Sequence, residues 1–166
     1  MSFNKRFIRF IIFITVVLSG LSAGVSLSHV LEIPGKHSLN VSEFLKVHHT
    51  FYGGYAIFGA VAWLYCSLAG VLTGILFFRT IRQLAVSAFI GGGGFIICLL
   101  IYALFLTHYN ELIAGWHKEA PDNWQTIRNH WELIHTILFV ISTISFAAFI
   151  NAYKKFIAIR IVHVAH

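Results

Sequence analysis

Residues 124–135 read WQTIRNHWELIH, and residues 136–152 continue as TILFVISTISFAAFINA with no charged side chain. On a helix, Trp124, Arg128, Trp131 or Glu132, and His135 follow one another at spacings of three or four. That places them on one face. The stretch therefore predicts a helix that begins in a polar stripe and runs directly into a segment suited to lipid. Trp and Arg fit a membrane interface, where a ring or a long cation keeps one end wet. Glu132 and His135 lie where wetting becomes difficult, so they call for partners on other elements.

Working outward, the same composition recurs three more times. Residues 10–30, 51–78 and 84–106 carry no Asp, Glu, Lys or Arg, and neither does 133–152. A span needs about 20 mostly apolar residues. The chain has 166 residues, 58% of them apolar and 11% charged, against roughly 25% charged in soluble domains. The expected fold class is all-α, an integral membrane antiparallel four-helix bundle. It forms a single transmembrane domain over 1–166, with spans at about 8–32, 44–79, 83–111 and 124–153. A β-barrel would alternate in segments of about ten residues, whereas these runs are continuous. Lys5, Arg6 and Arg9, an apolar stretch and Leu21-Ser22-Ala23 have the layout of a signal peptide. The apolar run continues past Ala23 to Val30, as a span does.

The charges sort by side. Lys5, Arg6, Arg9, Arg79, Arg82, Lys154, Lys155 and Arg160 fall on one side of the spans, with no acid. Lys36, Lys46, Lys118, Arg128 and all six acids fall on the other, with eight of the ten His. The basic excess places both termini in the cytoplasm, as for a multi-pass protein of a bacterial inner membrane. The net charge of +6 is split among separate places, which argues against nucleic acid as a partner. The expected partners are the lipid bilayer, a lipophilic small molecule and a second copy of the chain. Cys66 and Cys98 sit mid-span without a CxxC motif and read as small hydrophobes that form no disulfide. His37, His117 and Glu119 read as loop surface, and His163 and His166 as a cytoplasmic tail.

Every helix end on the acid-bearing side presents ionisable or amide groups: His29 and Glu32; His48 and His49; His108, Asn110 and Glu111; Arg128, His130, Glu132 and His135. Ionisable groups at membrane depth mark functional sites by default. The candidate catalytic set is His29, Glu32, Asn110, Arg128 and His135. His29, Glu32, Glu132 and His135 form the candidate metal set, for iron, copper or no metal at all, since Glu132-x-x-His135 has the spacing used by di-iron bundles. That spacing is common in a stretch so rich in His and acid. Gly20/Gly24 and Gly70/Gly74 read as close-packing pairs. Gly91–Gly94 read as a thin place in an unbroken helix. Pro34-Gly35 should end the first helix, and Asn40 or Ser42 should cap the second.

Ser28-His29-Val30-Leu31-Glu32-Ile33-Pro34-Gly35-Lys36 resembles a motif of small bacterial four-helix membrane proteins of unknown function, grouped with anthrone-oxygenase-like proteins. The later pattern Asn110, Trp116, Pro121, Trp124, Arg128, Trp131-Glu132 and His135 is similar to the same family. The family commonly carries Gln where this chain has His48 or His49, so no role carries over to those two. The resemblance implies oxidation of a polycyclic phenolic carbon by O2, with the substrate entering from lipid. Three functions follow: an oxygenase or oxidoreductase using His or Glu as base or ligand and Arg128 to hold an anionic oxygen; a haem- or metal-binding electron-transfer subunit; and a non-catalytic bundle serving as assembly partner, sensor or channel-like element.

Overall fold

The computed structural model describes residues 5–116 and 120–164, and side chains for 6–116 and 120–158. The described residues are almost wholly helical. They form α1 (Lys5–Leu31), a short α2 (Ile33–His37), α3 (Val41–Phe77), α4 (Arg82–Ile101), a single π-helical turn (Tyr102–Leu106), α5 (Thr107–Ala114) and α6 (Trp124–Val164). Four helical stretches, Arg6–His37, Val41–Phe77, Arg82–Ala114 and Trp124–Ala158, are long and apolar enough to cross a membrane. His117, Glu119, His166 and the side chains of Arg160 and His163 lie outside the described residues.

α1 packs against α3 and α6, and α4 packs against the same two. The inner faces supply a core of Phe44, Trp63, Cys66, Phe95, Cys98, Trp131, Leu138 and Phe149. Both cysteines are free and buried. Their neighbours in the core are aromatic and aliphatic, which suits a thiol acting as a small apolar filler.

Glycine sets the closest approach. A Cβ on Gly70 would lie 2.6 Å from the Gly92 Cα and 2.9 Å from the Ala88 carbonyl oxygen, so α3 and α4 meet backbone to backbone. Gly91 faces the Phe149 ring, Gly94 faces Ser145, and only Gly93 of the four faces open space. The helix runs through them unbroken. Gly20 packs on Phe146, but Gly24 has nothing within 4 Å, so the expected Gly20/Gly24 packing pair is half of one.

Pro34-Gly35 does not end a helix. α1 has already stopped at Leu31, and Pro34 lies in the first turn of α2, where its missing N–H costs nothing. α2 stays almost in register with α1, since the Lys36 amide donates to the Glu32 carbonyl at 2.9 Å. Asn40 caps α3 reciprocally with Glu43, at 3.0 Å from the Glu43 amide to Asn40 Oδ1 and 2.9 Å from the Asn40 amide to Glu43 Oε2. Asn40→Ala is expected to cost about 1 kcal/mol and to speed amide exchange in the first turn of α3 alone, measured by hydrogen–deuterium exchange.

Candidate functional site

The C-terminal end of α1, α2, the N-terminal end of α3, the π-turn with α5, and the N-terminal end of α6 meet at one end of the molecule. α1 brings His29, buried, with its ring stacked face to face on His135 of α6 at 4.0 Å and 16°. Tyr52, Tyr55 and Trp131 surround His29 with ring centroids at 5.0, 5.5 and 5.5 Å. His48 lies on the same aromatic wall, 5.5 Å from Tyr52 and 5.6 Å from Trp131.

The π-turn lies beside the site. It widens the helix by one residue per turn, a feature often found at functional sites. The Thr107 hydroxyl closes it by donating to the Tyr102 carbonyl at 2.9 Å. Tyr102, Leu106 and, one turn on, Asn110 line the same cavity. Trp131 Nε1 donates to Asn110 Oδ1 at 2.8 Å. An indole is only a donor, so the oxygen of Asn110 is held by Trp131 and its NH2 is left for other partners.

The cavity has a volume of about 50 Å³. His29, His135 and Asn110 line it with Ser22, Tyr52, Tyr55, Trp63, Tyr102 and Trp131. His29 Nδ1 and His135 Nε2 are buried and have no hydrogen-bond partner among the described residues. The same holds for both ring nitrogens of His48. Tyr55 is at once a wall of the cavity and 36% exposed, so it stands at the mouth.

Above the cavity, α2 turns Lys36 inward. Its side chain is only 3% exposed, and Nζ sits 4.9 Å from the centroids of both the Tyr52 and Trp131 rings. The ammonium lies 3.1 Å from Glu32 Oε2, which also accepts from the Tyr52 hydroxyl at 2.8 Å. Arg128 is buried, donates to the Lys36 carbonyl at 3.0 Å and stacks over Trp124. His37 Nε2 meets Glu132 Oε2 at 2.7 Å. Arg128 Nε to Glu132 Oε1 is 3.9 Å, too long for a hydrogen bond.

The structure therefore brings His29, His135 and Asn110 together around one cavity and sets Glu32 and Arg128 apart from it. Glu32 is not between the two His rings; those rings touch, and Glu32 belongs to the Lys36–Tyr52 group above them. Arg128 holds the α2 backbone and does not line the cavity. The metal set His29, Glu32, Glu132 and His135 is not assembled, because each carboxylate has a different partner. Among the described residues no three His, Cys, Asp or Glu side chains are arranged to hold a metal ion. Two imidazoles in face-to-face contact also leave no space between them for a haem. His37 is exposed, yet it is the partner of buried Glu132 rather than free loop surface.

His49, His108, Glu111 and His130 are exposed and outside the cavity. Lys36, Trp63 and Tyr102 are the residues that sequence reasoning missed. The i,i+4 spacing of Glu32 and Lys36 was the one available sign for Lys36, and it has meaning only once Pro34 is read as opening a helix. Comparison with protein-family models, curated proteins and solved structures finds no match for this chain.

Proposed function

We propose that the chain is an antiparallel four-helix bundle inserted in a bacterial inner membrane, with both termini cytoplasmic, that binds a lipophilic small molecule bearing an acidic O–H or C–H. His29 and His135 supply the base. The reading rests on one observation above all: two stacked imidazoles from facing helices, His29 buried and His135 partly buried, line an aromatic-walled cavity, and each has a ring nitrogen without a hydrogen-bond partner among the described residues. A neutral imidazole nitrogen accepts a proton from a phenol or a carbon acid. The NH2 of Asn110 donates to the oxygen that gains charge.

The access route follows from burial. On the side of the charged helix ends, buried Lys36 lies against Tyr52 and Trp131, two walls of the cavity. Tyr55 at the mouth needs only a side-chain swing, and Gly53 and Gly54 beside it have nothing within 4 Å. The hollow of about 50 Å³ is well below the roughly 150 Å³ that takes benzene, so a ring enters from the lipid side only by displacing Tyr55 and taking the space of its side chain. The resemblance to anthrone-oxygenase-like proteins suggests a concrete reaction: an imidazole takes a proton from the anthrone methylene carbon, and O2 oxidises the carbanion to the anthraquinone, its second oxygen atom leaving as water.

The test is saturable quenching of tryptophan emission by 1-naphthol, with O2 uptake on adding anthrone, in detergent-purified protein. Both are expected. Absence of both favours the second reading, a non-catalytic bundle. The observation behind that alternative is the set of charge pairs, Lys36–Glu32 and His37–Glu132, that tie helix ends together without any ligand.

A further inference from the structure

The cavity has a second polar end. Ser22 is 1% exposed and Trp63 6% exposed; both line the cavity, and neither Ser22 Oγ nor Trp63 Nε1 has a hydrogen-bond partner among the described residues. Ser22 and Ser26, which both line the cavity, depart from the habit of their own helix. Thr15, Ser19 and Ser28 each turn their hydroxyl back to a helix carbonyl, at 2.8, 2.9 and 2.8 Å. Trp63 is fixed in place. Its ring lies 3.7 Å from where a Cβ on Gly59 would sit and edge-on to Tyr102 at 6.1 Å. A larger residue at position 59 would crowd the indole.

Buried donors without partners are costly and ask for an acceptor. Ser22 and His29 are seven residues apart on one helix, which is about two turns or 10 Å. Taken along the helix axis, that backbone rise less a hydrogen bond of about 2.8 Å at each end leaves room for about 5 Å between the two bonded ligand atoms. Between the two ends the walls are aromatic: Tyr52, Tyr102 and Trp131.

We propose that the cavity recognises its ligand at both ends: the His29–His135 end takes a hydrogen-bond donor, and Ser22 with Trp63 donates to an oxygen directly across the ring. The ligand class is a 1,4-dioxygenated aromatic, of which lipid-borne quinols are the membrane-soluble form. This deepens the functional reading above and rests on its placing a donor at the His end. Trp63 and Ser22 are then specificity determinants, and they discriminate by the oxygen para to the ionising group.

The experiment titrates detergent-purified protein with two probes of similar bulk, 4-methoxy-1-naphthol and 4-ethyl-1-naphthol, and reads quenching of tryptophan emission. The methoxy compound is expected to bind about tenfold more tightly, the effect of one or two net hydrogen bonds. Trp63→Phe and Ser22→Ala, each shown to be monodisperse on gel filtration, should each reduce that preference while leaving the Kd of the ethyl compound in place. Trp131 still reports binding in the Trp63→Phe protein. Equal Kd values in the unsubstituted protein, or a Trp63→Phe protein that weakens both probes alike, would overturn the proposal and leave the His end intact as a binding site. Failure of both probes to bind saturably overturns the reading of the His end itself.

Discussion

Gly70→Ala is expected to destabilise the protein and Gly70→Val to prevent its assembly, whereas Gly93→Ala leaves stability unchanged or raises it. Intrinsic propensity favours alanine over glycine in both helices by up to about 1 kcal/mol. The surroundings decide the sign. At Gly70 the new Cβ would lie 2.6 Å from the Gly92 Cα and 2.8 Å from its nitrogen, and neither atom can rotate away. α3 and α4 must separate, which loosens Cys66, Phe95 and Cys98 in the same core. Overpacking costs about 1–3 kcal/mol for small additions, and valine adds two further methyl groups to a contact with no slack. At Gly93 nothing lies within 4 Å. Thermal unfolding in one detergent, read by loss of the monodisperse species, checks this. A Gly70→Val protein as stable as Gly93→Ala would mean that the two helices do not meet at these residues.

Uninterrupted apolar runs made the four long helices legible, because residues 10–30, 51–78, 84–106 and 133–152 are too long and too free of charge to be anything else. The gathering of polar groups at one end was legible for a related reason: His29 and His135 each abut an apolar run and had to find partners. The side-chain assignments were less so. Lys36 reads as a loop charge after Pro-Gly, and its burial depends on Tyr52 and Trp131, which come from two other helices. Glu32 and Arg128 were assigned to the hollow by proximity along their helices, but a neighbouring Lys36 captures both, one by its ammonium and one by its carbonyl. The π-turn at Tyr102–Leu106 has no sequence mark, since its residues would suit an α-helix equally well. Trp63 looks like any mid-span aromatic until its unpaired N–H is seen to face a cavity.

His135→Ala is expected to lower O2 uptake with anthrone by about 10²–10⁴-fold, the range for losing a positioned general base, while the protein stays folded. His135 touches α1 through the His29 ring, and no hydrogen bond from its Nε2 ties the helices together. It is partly buried, it sits beside a cavity, and its Nε2 bonds to no described residue. Its loss enlarges a hollow that already exists, instead of opening one in close-packed core. His29→Ala should behave in the same direction, and the double variant should lose little more than either single one, since stacked rings at 4.0 Å serve one ligand atom. Glu132→Gln is the contrast. Glu132 is buried and holds His37 at 2.7 Å, away from the cavity, so its change should lower the unfolding temperature and leave the activity per folded molecule close to that of the unsubstituted protein. A merely structural polar cluster predicts the reverse ordering, with stability falling in step with activity for all three. Measuring both quantities on the same preparations separates the two, and an active His135→Ala protein would remove the imidazole pair from the mechanism.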